Sequence, residues 1–194
     1  MAQVRAFTPP PPTDAQVAAL KLPPHSLEAE QSVLGGLLLD NEAWEKIGDI
    51  LRDEDFYRAD HREIYRHISR LIDDNKPADA LTVTDSLERS GKLEEVGGRA
   101  YIGSLAVNTP SAANIKRYAE IVRDRSTMRR LAATSTAITE SVYSPLGRSA
   151  KDLVEEAEKE IFAIAEQGAR GQQGFSGIAP MLSKVVERID TLYK

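Results

Sequence analysis

Cysteine is absent from the 194 residues. Its absence excludes a disulfide scaffold, a cysteine-ligated zinc or iron–sulfur site and a thiolate nucleophile. Aromatic residues make up only 6% of the chain, thin for a sandwich or barrel, whose strands favour them. No apolar run approaches the ~18–20 residues of a membrane span, and the N-terminus lacks the apolar stretch of a signal peptide. Basic charge is not in excess either: 25 Lys+Arg face 30 Asp+Glu, a net −5. What remains is 41% apolar residues, with Ala, Leu, Glu and Arg plentiful. That suits one modest core, or a small domain carrying extra helices. The expectation is a soluble, intracellular, all-α protein.

Residues 1–25 read as a disordered tail. The run Pro9-Pro10-Pro11-Pro12 and the later Pro23-Pro24 lock extended backbone and cannot propagate a helix. A proline-rich docking site is the sharper alternative, with nothing in the sequence to single it out.

The periodicity turns helical at Ser26, a plausible N-cap followed by Glu28 and Glu30 in the first turn, where carboxylates suit the helix dipole. Gly35-Gly36 interrupts an apolar face of Leu27, Val33, Leu34, Leu37 and Leu38. Glycine costs about 1 kcal/mol in a helix interior, so a tolerated pair predicts another helix packed close against it. Asp40 or Asn41 caps a second helix carrying Trp44, Ile47 and Leu51, and Asp60 caps a third, from His61 to about Asp74. Leu81-Thr82-Val83-Thr84 is strand-like but isolated. It reads as the approach to a short helix ending at Gly91. Gly97-Gly98 opens another, with Tyr101, Ile102 and Leu105. The head so defined spans 26–110.

From Ser111 to about Tyr143 there is neither proline nor glycine, and apolar residues recur at helical spacing. Ser144-Pro145-Leu146-Gly147 is a turn signal, and Ser149 with Asp152 has the spacing of a capping box. Leu153, Val154, Ala157, Ile161, Phe162 and Ile164 follow. Residues 111–167 are therefore expected to form a long antiparallel helical hairpin projecting from the head. Residues 168–177, with four glycines, have the composition of a flexible linker. In 178–194 the stripe Ile178, Met181, Leu182, Val185, Val186, Ile189 and Leu192 marks a separate amphipathic linker helix. It either folds back on the head or docks on something outside the chain; docking is favoured.

The head holds 10 basic and 18 acidic residues, net −8, the wrong sign for a phosphate-binding surface. The dense basic cluster is Arg123, Arg125, Arg129 and Arg130 on the first hairpin limb. It could touch DNA or an acidic partner, or form a solvated face. Catalytic signals are missing. There is no G-x-x-x-x-G-K-[ST] phosphate loop, and Ser90-Gly91-Lys92 lacks the upstream glycine. His61 and His67 lie six apart, on different helix faces, and read as lone surface histidines. Asp53-Glu54-Asp55 reads as a cap that solubilises the turn before Phe56-Tyr57, with Mg²⁺ binding the lesser possibility. No catalytic, cofactor or metal residue is assigned.

The stretch from Ser26 to Asp40, SLEAEQSVLGGLLLD, closely resembles the opening helix of DnaB-type bacterial replicative helicases. The likeness continues through Asp55-Phe56-Tyr57-Arg58-Ala59-Asp60-His61-Arg62-Glu63-Ile64-Tyr65 and Gly97-Gly98-Arg99-Ala100-Tyr101-Ile102. It runs on through Thr109-Pro110-Ser111-Ala112-Ala113-Asn114-Ile115 and Ala157-Glu158-Lys159-Glu160-Ile161-Phe162. The resemblance implies the N-terminal collar of a ring-shaped hexamer that unwinds DNA. Its hairpins would pair into dimers, assembled as a trimer of dimers. The collar would recruit a DnaG-type primase through the primase's C-terminal domain, and a helicase loader. ATP and Mg²⁺ would belong to a RecA-like domain beyond the linker helix, where this chain stops. The implied setting is the bacterial cytoplasm at the nucleoid. Self-association is then expected of Leu131, Ile138, Val142, Leu153, Val154 and Ile161, although the faces within and between hairpins share one periodicity. The alternative is a DNA-contacting helical module using the arginine cluster.

Overall fold

The computed structural model describes residues 22–109 and 111–168. The expected linker and the linker-helix face from Ile178 to Leu192 lie outside them, as does most of the proline-rich tail. Among the described residues there are seven α-helices and no strand: α1 (Leu27–Leu39), α2 (Trp44–Ile47), α3 (Ala59–Asp73), α4 (Ala80–Arg89), α5 (Gly98–Asn108), α6 (Ile115–Tyr143) and α7 (Ala150–Gly168). None is long and apolar enough to cross a membrane.

Helix α1 is the axis of the head. Ser26 caps it, its Oγ accepting from Ala29 N at 3.3 Å. Its flanks are covered by α3, α5 and α6, so Val33, Leu34 and Leu37 are fully buried. The Gly35-Gly36 notch receives what the sequence predicts, a close neighbour. Thr109 and the Leu105 carbonyl crowd Gly35, while Ile115 and Ala112 lie over Gly36. One notch thus seats both the end of α5 and the start of α6, fixing where the hairpin leaves the head.

Several local expectations are corrected. Asp60 does not cap α3; Arg58 holds the N-cap position. Asp60 sits in the first turn, accepting from His61 N at 2.9 Å and paired with Arg58. Leu81 to Thr84 are not an approach but the first turn of α4. Asp79 Oδ1 accepts from the backbone N–H of Leu81 and Thr82 at 2.9 and 2.8 Å, and Asp79 N donates in return to Thr82 Oγ1 at 2.9 Å. This box, with Val83 and Leu87 buried, overrides the β-branched composition. The second helix stops at Gly48, so Leu51 enters the core from the following turn rather than from a helix face. Helix α6 begins four residues after Ser111.

At 29 residues, α6 is about 43 Å long. Its turn into α7 places Leu146 and Gly147 at φ 48 and 82, and Arg148 N closes it onto the Pro145 carbonyl at 2.9 Å. The Ser149–Asp152 box then starts α7, with Ser149 N donating to Asp152 Oδ2 at 2.8 Å and Asp152 N to Ser149 Oγ at 3.3 Å.

Candidate functional site

The head holds α6 over its first half only. Ile115, Ala119, Val122 and Ser126 are its buried residues, spaced three and four apart along one face. At the upper end of this grip stands Asp55, 7% exposed. Its Oδ1 accepts from Ser126 Oγ at 2.8 Å and faces Arg130 Nη2 at 3.4 Å, while its Oδ2 accepts from Arg52 N at 2.9 Å. The expected acidic turn is thus capped by Asp55 as read, but Asp55 is buried rather than a solubilising residue. A carboxylate tying its own turn to α6 is a buried anchor, and it shows as one only when a residue 71 positions away folds over it.

The arginine cluster divides. Arg129 donates to the carbonyls of Asp55 (2.5 Å) and Pro24 (2.8 Å) and lies 5.7 Å from the centroid of the Tyr57 ring. Burial holds its guanidinium below the usual arginine range. Arg130 pairs with Asp55 and Glu54, each at 3.4 Å. Arg123 is half-buried and also engaged. Arg125 is exposed, its Nη1 3.7 Å from Met128 Sδ. At 100° per residue, Arg129 and Arg130 flank Ser126 and face Asp55 together, whereas Arg123 and Arg125 lie about 160° apart, so a run that is dense in sequence is not one surface.

Beyond Arg130, α6 pairs with α7. The six hairpin residues singled out from sequence separate here into two sets. Ile138 and Leu153 line a cleft of about 250 Å³ between the limbs, with Thr134, Ser141 and Ala157. Leu131, Val142, Val154 and Ile161 point outward, each about half exposed. Sequence reasoning missed four neighbours: Met128, Tyr143, Leu146 and Phe162 are also exposed, Leu146 at 89%. Their adjacency to the selected residues was the available signal. Eight of the twelve large exposed apolar side chains among the described residues thus sit on the hairpin. Such concentration marks an interaction surface more often than scattered exposure does.

Behind the root lies a polar core that the sequence did not reveal. Glu30, expected in the first turn of the helix and found there, is 1% exposed. Its Oε1 accepts from Tyr57 N at 2.6 Å and its Oε2 from Arg58 N at 3.5 Å. His61 Nδ1 lies 2.7 Å from Glu30 Oε2, and His61 Nε2 is 2.6 Å from the Tyr101 hydroxyl. With Nδ1 donating to the carboxylate, Nε2 is left to accept from the tyrosine. His67 is equally buried, against Ser86 Oγ at 2.8 Å, and burial pushes its imidazole below the usual histidine range. Neither histidine is the surface residue expected. Arg62 completes the scaffold by donating to the carbonyls of Phe56 and Tyr57 at 2.7 and 3.3 Å. The irregular segment 55–58 is thereby satisfied by side chains, as buried backbone requires. Among the described residues no group of three or more His, Asp or Glu is placed to hold a metal.

Comparison with known proteins gives a consistent result. Residues 22–124 match the family described as DnaB-like helicase N terminal domain. The chain is 40% identical over 182 residues to the replicative DNA helicase DnaB of Haemophilus influenzae, covering 94% of this chain and 39% of that protein. It is 43% identical over 173 residues to the replicative DNA helicase DnaB of Pasteurella multocida, covering 89% and 37%. The chain thus spans less than two fifths of the length of these relatives. Among solved structures, the N-terminal domain of DnaB helicase from Mycobacterium tuberculosis superposes with a TM-score of 0.71 at 39% identity, covering 73% of this chain and 99% of that one. A DnaB-like replicative helicase, described with its interactions with primase, superposes at 0.64 with 25% identity, covering 87% of this chain and 37% of that one.

Proposed function

Because the chain belongs to the DnaB-like helicase N-terminal domain family, we propose that it is the collar module of a hexameric replicative DNA helicase. In this reading the hairpins pair into dimers, three dimers form the collar, and the collar recruits the C-terminal domain of a DnaG-type primase and a helicase loader. The whole protein unwinds DNA as a ring, using ATP and Mg²⁺ held by a RecA-like domain. The linker-helix stripe Ile178 to Leu192 docks on that domain of a neighbouring subunit.

The observation that carries the reading is the hairpin. It is gripped at its root by Asp55, Arg129 and Arg130, and its outer half presents Leu131, Val142, Val154 and Ile161 to solvent. A rigid limb with an uncovered apolar face is suited to binding protein rather than to chemistry. The primase interaction described for the structurally similar helicase supports the choice of partner. DNA contact is the weaker reading, because Arg129 and Arg130 are occupied within the chain.

The two sets of hairpin residues separate self-association from hairpin closure. Val154→Asp combined with Ile161→Asp is expected to lower the light-scattering mass to that of the monomer while helicity is retained. A charge desolvated in an interface costs several kcal/mol, or more than a hundredfold in affinity. Leu153→Asp instead loses helical signal, because it opens the hairpin itself. An unchanged mass in the outward double variant contradicts the assignment of that face.

A further inference from the structure

Three segments meet where α6 leaves the head, and one of them is the extended arm before α1. Arg129, on α6, is held by the main-chain carbonyls of Asp55 in the head and Pro24 in the arm. Its guanidinium lies against the Tyr57 ring. The His25 ring stacks on that same tyrosine at 4.4 Å with an interplanar angle of 12°, and its Nδ1 lies 2.7 Å from the Pro23 carbonyl. Arm, loop and helix thus close a ring of contacts: Pro24, Arg129, Tyr57 and His25.

We infer that residues 23–25 are a strap that sets the pivot of the hairpin on the head. The position of Arg129 carries the argument. The last buried residue of α6 is Ser126, and beyond Arg130, among the described residues, α7 lies alongside it across the cleft lined by Ile138 and Leu153. The strap therefore acts in the last turn of α6 that the head grips, beside Arg130, and about 20 Å of α6 projects past it. Over that length a tilt of about 10° moves the tip by 3–4 Å. Without the strap, Arg129 loses one of its two carbonyl acceptors and Tyr57 loses a stacked face. What then holds the pivot is Ser126 on Asp55, the Asp55 carbonyl on Arg129 and the pairing of Arg130 with Asp55 and Glu54. The composition of the strap fits this role, since prolines fix φ before docking and little backbone freedom remains to be lost. The angle at which a collar hairpin meets its partners would then be set partly by residues outside both head and hairpin. This goes beyond the collar reading and does not depend on it.

The test compares the 194-residue protein with two truncations, one lacking residues 2–21 and one lacking residues 2–25, by amide hydrogen exchange. All proteins are compared in the same oligomeric state, established by light scattering, so that failed self-association is not mistaken for a lost strap. Removing 2–25 is expected to raise exchange over 126–135 about tenfold or more, with α3 unchanged; removing 2–21 leaves both as in the parent. Equal protection of 126–135 in the two truncations overturns the inference. If the longer truncation unfolds outright, His25→Ala and Arg129→Lys decide, the lysine keeping charge but losing the two-carbonyl fork. Faster exchange confined to 126–135 supports the strap, and unchanged exchange in both variants refutes it.

Discussion

Gly35→Ala is expected to destabilise the fold by about 3 kcal/mol or more, seen as a lowered denaturant midpoint with an unchanged slope. In an open helix interior the same substitution would stabilise by up to about 1 kcal/mol. Here the sign reverses because of what the new methyl meets. A Cβ on Gly35 would lie 2.0 Å from Thr109 Oγ1 and 2.2 Å from the Leu105 carbonyl oxygen. Thr109 has little room to turn away: it is buried, and its hydroxyl donates to that same carbonyl at 2.9 Å. The carbonyl is backbone, so relief requires α1 and α5 to part. Two controls bracket the effect. Gly103→Ala points into open space and is expected to be neutral or stabilising. Gly36→Ala meets the flexible end of Ile115 at 3.0 Å and falls between. If Gly35→Ala is as stable as the parent, α1 and α5 do not meet as described.

Loss of the buried carboxylate ranks second. Glu30→Ala is expected to cost about 3–5 kcal/mol, because buried donors left unsatisfied cost about 1–3 kcal/mol each. It leaves the N–H groups of Tyr57 and Arg58 and the Nδ1 of His61 without their acceptor. Tyr101→Phe, which removes only the far end of the chain at His61 Nε2, is expected to cost about 1–2 kcal/mol. The ordering of the two variants in urea unfolding is the check. A Glu30→Ala protein within 1 kcal/mol of the parent means that this network does not organise segment 55–58. The consequence reaches the hairpin, because the same segment presents Asp55 and Tyr57 to α6.

Local signals in the sequence carried far, and non-local ones did not. The Ser26 cap, the Ser149–Asp152 box and the glycine pair each express their physics within a few residues, and each appears in the structure as read. The hairpin was legible because 33 residues without proline or glycine, Ser111 to Tyr143, leave the chain few alternatives. Burial of Glu30, Asp55, His61 and His67 was not legible. Polar residues on a helical pattern look like a solvated face until their partners are known, and Glu30 and Asp55 find theirs 31 and 71 positions away. The inward and outward sets of the hairpin were inseparable for another reason. One period of 3.6 residues serves both the contact within a hairpin and an uncovered face beside it. Only the observed placement of Ile138 and Leu153 in the cleft distinguishes them. The resemblance to DnaB-type helicases came from motif order along the chain, not from any of these packing signals.

The most direct test of the collar reading is the light-scattering mass of the protein on a sizing column, alone and then with the C-terminal domain of its cognate primase. The account predicts a dimer or a hexamer that gains mass when the primase domain is added, and that loses the gain when Val154 and Ile161 carry charge. A monomer indifferent to primase, at concentrations well above micromolar, would contradict it.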